Sequence, residues 1–330
     1  MTYRAALIGC GKIGSEFDDN PRVKGVYSHA GAYTACAETK LVAVCDKDPE
    51  RLSRCAEKWN VDAIFCDAHQ MLAETRPDIV SICSPDSTHY ELIRFALNIP
   101  GMQAVFAEKP LAVELDQANE LVEIAAQRRV LLAVNYSRRY SNSYVELRKL
   151  LDRGEMGEIL AVSGYYTKGI IHNGSHWIDL ARFLLGEMVE FQGVNSTGEA
   201  SPDPTLDGLI EFAGGAKGYL HGCDFDDQVS FFEMEIVGTR GRVNITDSGR
   251  TITFYELADN PHHAGYKTFS KIREIDGELS DTMLNAVNDL VRSLDTRTQP
   301  RCNGRDAIEA LKIACALRDS ARSGSPLRSG

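Results

Sequence analysis

With 330 residues the chain is longer than the ~250 to 300 at which one hydrophobic core stops growing, so two domains are expected, and 43% hydrophobic residues are enough to fill both cores. A net charge of −11 at pH 7 with no long Lys/Arg cluster argues against nucleic acid or an anionic membrane surface as partner, and no run approaches the ~18 apolar residues of a transmembrane span. The nine cysteines, at 10, 36, 45, 55, 66, 83, 223, 302 and 315, form no C-x-x-C pair, and a first strand starting within about four residues of Met1 leaves no room for a secretory leader, so buried free thiols and a reducing cytoplasm are expected.

The first element is an apolar β-run, Ala5-Ala6-Leu7-Ile8, followed at once by Gly9-Cys10-Gly11-Lys12-Ile13-Gly14. Each glycine has a mechanical reason. Gly9 permits a tight turn, Gly11 lets the backbone approach a pyrophosphate, and Gly14 lets the following helix pack close, its first N–H groups facing the anion. The letters alone are weak in a chain with 27 glycines, because a plain strand-to-helix turn reads the same way. Leu41–Cys45 adds a buried strand ending at Asp46, a carboxylate placed to meet the adenosine ribose hydroxyls. The gap from Gly14 to Asp46 exceeds the usual ~20 residues, so Phe17–Val26, rich in Asp, Pro and Gly, is read as an insertion near the cofactor mouth. Asp46 repels a 2′-phosphate and so favours NAD, although Lys47 beside it leaves NADP open.

Strands and helices then alternate: helix Pro49–Trp59, strand Ala63–Cys66, helix Asp67–Glu74, strand Asp78–Cys83, a helix to about Leu97, strand Ala104–Ala107, helix Leu115–Arg128 and strand Val130–Tyr136. This is the rhythm of a doubly wound parallel sheet, whose ligands bind outside the carboxyl ends of the strands. Two tripeptides fall there. Ser84-Pro85-Asp86 reads equally well as a turn opening a helix or as part of a cofactor pocket. Glu108-Lys109-Pro110 ends a strand on a lysine whose backbone Pro110 restricts to extended geometry, and a cation so placed favours alkoxide charge on a reacting hydroxyl.

After Tyr136 the pattern becomes α+β: helix Ser141–Asp152, strand Glu158–Tyr166, helix His176–Leu185, β-runs joined at Ala213-Gly214-Gly215-Ala216 and Gly238-Thr239-Arg240-Gly241, and closing helices near Thr282–Leu294 and Asp306–Arg322. The expected division is a Rossmann domain over 1–136 and, over 137–330, a substrate-binding and oligomerisation domain built on an open mixed or antiparallel sheet. Alternation in Ser230–Val237 fits either a sheet covered by a partner or an internal core. The sharpest cluster is Ile171-His172-Asn173-Gly174-Ser175-His176-Trp177-Ile178-Asp179. Ser175 as N-cap puts His176 in the first turn, and Asp179, three residues on, shares its face and can orient the ring. An ordinary amphipathic helix with a capping His gives the same pattern. His172 and His176 as metal ligands lack a third partner, and Gly174 interrupts the pair, so no metal site is expected.

Taken together, the glycine motif, Ser84-Pro85, Glu108-Lys109-Pro110, the Asn135–Tyr140 segment with Arg138-Arg139, and Gly174-Ser175-His176-Trp177-Ile178-Asp179 resemble the Gfo/Idh/MocA family over nearly the whole chain. The resemblance implies an NAD(P)-dependent dehydrogenase acting on a sugar, cyclitol or nucleotide sugar, with Lys109 polarising the reacting oxygen, His176 as acid/base, a cis Lys109–Pro110 bond, and a homodimer or homotetramer. The cofactor is expected to meet Gly9, Gly11, Lys12, Ile13, Gly14, Asp46, Ser84, Pro85, His89, Glu108 and Lys109. Substrate is expected to meet Lys168, His172, Asn173, Asp179 and Tyr136, with Asp224–Gln228 as a further loop. Many members carry Asp four residues before the family histidine. Here that position is His172, which leaves Lys168, Asn173 and Tyr136 as candidates to complete the proton relay. A redox-assisted glycosidase or lyase holding NAD tightly, and a non-catalytic dinucleotide-binding sensor, are the alternatives.

Overall fold

The computed structural model describes residues 2–22, 24–196, 198, 201–226 and 228–328, so Val23 of the expected insertion and Asp227 of the expected substrate loop lie outside the described residues. The chain divides into two compact units, Met1–Tyr140 with Ser280–Ile308, and Ser141–Leu279 with Glu309–Gly330. The segment 280–308 therefore packs with the first unit, although it follows the whole second-unit sheet in sequence.

The first unit contains β1 (Tyr3–Ile8), α1 (His29–Ala35), β2 (Thr39–Cys45), α2 (Pro49–Trp59), β3 (Ala63–Phe65), α3 (Ala68–Thr75), β4 (Ile79–Ile82), α4 (His89–Leu97), β5 (Ala104–Ala107), α5 (Leu115–Arg128) and β6 (Leu131–Val134). The strands form one parallel sheet in the order β3-β2-β1-β4-β5-β6, the doubly wound arrangement with its switch point between β1 and β4. Every residue of β4 and β5 is buried, as expected for strands covered on both faces. The free edge of β6 is met by the returning chain: Val134 donates to the Cys302 carbonyl at 3.1 Å and Ala133 bridges to Asn303. Covering that edge helps tie 280–308 to this unit, with α8 (Thr282–Thr296) lying against α1.

One expectation is corrected. Among the described residues, the helix expected directly after Gly14 is not there. A tight turn runs into a single 3₁₀ turn over Glu16–Asp19, and α1 begins only at His29. His29 and Ala30 donate to the Ile13 and Gly14 carbonyls at 3.1 and 3.0 Å, so α1 resumes the helix that the glycine turn starts, with 15–28 looped out. Asp18 closes the excursion by accepting from Tyr27 N at 2.8 Å and from the Ser28 hydroxyl at 2.5 Å, and Ser28 caps α1 through Gly31 N at 3.1 Å.

The second unit contains α6 (Asn142–Asp152), β7 (Ile159–Tyr166), α7 (Ser175–Leu185), β8 (Met188–Val194), β9 (Asp207–Phe212), β10 (Lys217–Gly222), β11 (Glu233–Gly238), β12 (Gly241–Thr246), β13 (Thr251–Asp259), β14 (Lys267–Asp276) and β15 (Leu327–Arg328), and α9 (Gly304–Ser323) ends in it. Its mixed sheet runs β14-β13-β12-β11-β7-β10-β9-β8-β15, with β7 and β10 parallel. Burial alternates strictly along β11 and β12, so one face is packed and the other is not. Tyr165, Leu209 and Tyr219 stand exposed on that outer face. Among the described residues no helix is long and apolar enough to cross a membrane.

Candidate active site

In the first unit the carboxyl ends of β1, β2, β4 and β5 bring together most of the expected cofactor residues. Gly9 has φ +94°, and a Cβ there would lie 2.5 Å from the Cys83 carbonyl at the end of β4. A Cβ on Gly14 would lie 2.0 Å from Gly9 O. Those two glycines are demanded by the turn's own packing. Gly11 differs: no atom lies within 4 Å of where its Cβ would be, so nothing in the protein forbids a side chain there. An open cradle at the one glycine expected to admit a pyrophosphate fits a dinucleotide. Lys12 is exposed and Ile13 half-buried beside it. Asp46, at the end of β2, accepts from Cys10 N at 2.7 Å and Asp48 N at 2.9 Å, which holds the carboxylate against the glycine turn. Arg51 lies 3.9 Å from it.

Glu108 and Lys109 leave the end of β5, two strands from the glycine turn along the same edge, roughly 10 Å at ~4.8 Å per strand. Lys109–Pro110 is cis, Lys109 is half-buried, and Glu108 is buried. Glu108 does not face outward. Its Oε1 accepts from His29 Nε2 at 2.9 Å and Asn135 Nδ2 at 2.6 Å. Behind it, His29 Nδ1 meets Ser81 Oγ at 2.7 Å, and Ser81 Oγ meets the Tyr33 hydroxyl at 2.8 Å. Every link is satisfied when Tyr33 donates to Ser81, Ser81 to the ring, and the ring to Glu108. Burial opposes the Glu108 charge, but the His29 ring, the Asn135 amide and the Lys109 ammonium outweigh it and hold the carboxyl below its ordinary range. Asn135 Oδ1 is buried with no partner, the one orphaned acceptor of this network.

His89 is also fully buried. Its ring spans the Pro110 carbonyl at 2.8 Å and the Ser84 carbonyl at 2.8 Å, so it clamps the two expected cofactor loops together and has no ring atom to offer a ligand. Ser84 Oγ meets Thr88 Oγ1 at 2.7 Å, and Pro85 is exposed. Tyr136, just beyond β6, is buried.

In the second unit the expected substrate residues sit on one helical stretch. Lys168, in the left-handed region at φ 66°, leads into a π-helical turn over Gly169–Gly174 that runs directly into α7. Ser175 is therefore already helical and is not the cap expected from sequence; the π turn supplies the preceding helical residues, so a non-helical N-cap has no place there. Lys168, His172, Asn173 and His176 are half-buried, and Asp179, one turn past His176, is buried. Lys168, Gly169, His172, Asp203, Asp224 and Phe225 line a polar cavity of about 520 Å³. Sequence reasoning had no signal for Asp203. Burial pushes its carboxyl above the ordinary aspartate range against the pull of two backbone N–H groups.

The sequence model of an oxidoreductase family's NAD-binding Rossmann fold matches residues 3–136, and that of the family's C-terminal alpha/beta domain matches 169–328. The chain belongs to the Gfo/Idh/MocA oxidoreductase family. It is an oxidoreductase with NAD as its cofactor. The inositol 2-dehydrogenase of Gluconacetobacter diazotrophicus is 30% identical over 75% of each chain, and the myo-inositol 2-dehydrogenase of Thermotoga maritima is 23% identical over 96% of each. Among solved structures, scyllo-inositol dehydrogenase from Lactobacillus casei, with NAD(H) and scyllo-inositol bound, is 20% identical with a TM-score of 0.77, covering 99% of each chain. A levoglucosan dehydrogenase in complex with NADH and levoglucosan is 18% identical with a TM-score of 0.83 over 99% of each chain. At these identities the solved structures establish the fold.

Proposed function

We propose that this NAD-dependent dehydrogenase acting on CH–OH groups takes a secondary alcohol of a sugar, cyclitol or nucleotide sugar, with Lys109 and His176 as its catalytic residues. The observation that carries the reading is the end of β5, where Lys109 leaves the same sheet edge as the open Gly11 cradle, with Glu108 and His89 fixing the backbone on either side of it. Gly9, Gly11, Lys12, Ile13, Gly14, Asp46, Ser84 and Pro85 would hold the dinucleotide. When bound, NAD supplies a nicotinamide C4 that exchanges hydride with the alcohol carbon.

Lys109 holds its ammonium against the reacting oxygen and favours the charge that develops there. His176 takes the hydroxyl proton in oxidation and returns it in reduction. Asp179 sits one helical turn behind His176 and fixes its ring, while Lys168, His172, Asn173 and Tyr136 serve as the substrate-binding residues. A row of exposed apolar side chains on the outer sheet face supports assembly of a homodimer or homotetramer through that face, and the free cysteines suit a reducing cytoplasm.

A panel of inositols, monosaccharides and nucleotide sugars, assayed with NAD for NADH formation at 340 nm, tests the reading. At least one member of the panel is expected to give NADH in proportion to alcohol consumed. Turnover without net NADH would instead identify a redox-assisted lyase or glycosidase, and NAD binding without any turnover a sensor.

A further inference from the structure

The N–H groups that open a helix have no partner inside it and must find acceptors elsewhere. The stretch carrying His172, Asn173 and His176 has no side-chain cap of its own, since Lys168 precedes it and provides none. Instead, four successive amides are met by three residues of the β8–β9 loop. Gly169 N donates to Thr205 Oγ1 at 3.0 Å, Ile170 N to the Pro204 carbonyl at 3.0 Å, Ile171 N to Asp203 Oδ1 at 2.6 Å, and His172 N to Asp203 Oδ2 at 2.9 Å. Next to this, the Tyr166 hydroxyl accepts from Leu206 N at 2.9 Å and donates to the Leu206 carbonyl at 2.8 Å. The approach leaves no room for a side chain at 169: a Cβ there would lie 2.3 Å from the Asp203 carboxylate.

Of these acceptors only Asp203 carries charge. An anion on first-turn N–H groups gains from the positive helix end, and charged acceptors make roughly twice the bond of neutral ones. We propose that Asp203 is a positioning residue of the reaction, gripping Ile171 and His172 from another loop and thereby setting where Lys168 and His172 meet the cavity and how the stretch runs on to His176. It also brings a carboxylate to a segment that has His172 where the family pattern has Asp. The inference rests on the reading of His176 as the acid/base group.

The test compares Asp203→Ala and Asp203→Asn in the full-length protein by amide hydrogen exchange, NADH fluorescence titration and NADH formation with myo-inositol as the probe alcohol. For Asp203→Ala, exchange over 169–174 should rise roughly tenfold or more, kcat should fall by at least as much with KM within about threefold, and NADH affinity should hold within about twofold. Asp203→Asn keeps one acceptor and should recover part of both the protection and kcat. Unchanged exchange at 169–174 in Asp203→Ala overturns the proposal. So does exchange that rises evenly across β7–β10, or an Asn variant no better than Ala, because either marks support for the whole unit. Should wild-type protein fail to oxidise myo-inositol, the substrate reading fails there alone, while the exchange comparison still decides the role of Asp203.

Discussion

The three glycines of the first turn should fail in different ways when replaced by alanine, and the difference separates packing from ligand binding. In Gly14→Ala the new methyl would sit 2.0 Å from Gly9 O, so the turn must move, an overpacking cost of about 1 to 3 kcal/mol. Gly9→Ala adds to a 2.5 Å clash with the Cys83 carbonyl a backbone held at φ +94°, worth a further ~1 to 2 kcal/mol, for a total of about 2 to 5. Gly11→Ala meets open space, so the free protein should be unchanged or stabilised by ~0.4 to 1 kcal/mol through the unfolded chain. What it should lose is close approach of a pyrophosphate to a backbone N–H, about 1.5 to 3 kcal/mol, or roughly 10- to 100-fold in NADH affinity. Thermal unfolding ranks the three stabilities. Trp59, whose indole N–H donates to Ser15 Oγ at 2.8 Å just past the turn, gives a fluorescence signal for titration with NADH. Wild-type NADH affinity in Gly11→Ala, or a loss of stability in it as large as in Gly14→Ala, would refute the reasoning.

His29→Ala strips a buried carboxylate of its ring partner and should cost about 3 to 5 kcal/mol in chemical denaturation; a loss under ~1 kcal/mol would mean that Glu108 is solvated some other way. Asp46→Asn should narrow the preference for NADH over NADPH by roughly tenfold, equivalent to ~1.4 kcal/mol, in parallel titrations, and an unchanged ratio would show that Asp46 serves only the glycine turn. The raised Asp203 pKa has a defined sign. The folded state binds this proton more tightly than the unfolded chain, so the group's contribution to stability falls as pH rises from the ordinary aspartate range through the raised value. Protonation removes one of its acceptors, so the 169–174 amides should lose protection on acidification at a pH above the ordinary aspartate range of ~3.9. Lys168, His172, Asp224 and Arg318 surround the group. Asp203→Asn should abolish that transition, and its persistence in the variant would assign it to one of those neighbours.

What could be read from the sequence is what depends on neighbours in the chain. The β/α rhythm placed α2, β5 and α5 to the residue, because strand and helix periods are written within a few positions. The glycine turn and the Glu108-Lys109-Pro110 strand end were legible for the same reason. Phe17–Val26 was seen as an insertion, but its effect on the helix was not, since Ile13 and Gly14 find their donors beyond it in α1. The partners of Glu108 come from α1 and β6, and a histidine in the small-residue run His29-Ala30-Gly31-Ala32 announces nothing about a carboxylate on β5. Asp203 lies in a loop without periodicity, flanked by Pro202 and Pro204, and only the fold brings it to Ile171 and His172. The return of 280–308 to the first unit was equally silent, because an amphipathic helix such as α8 does not say which apolar surface it covers.

The central claim is that Lys109 acts on the reacting oxygen and is not needed to hold the dinucleotide. Lys109→Ala, measured with the alcohol that gives NADH in the wild type, is predicted to lose ~100-fold or more in kcat while its NADH dissociation constant stays within about threefold of wild type. Full kcat in that variant, or a collapse of NADH affinity that accounts for the whole loss of turnover, would contradict the account.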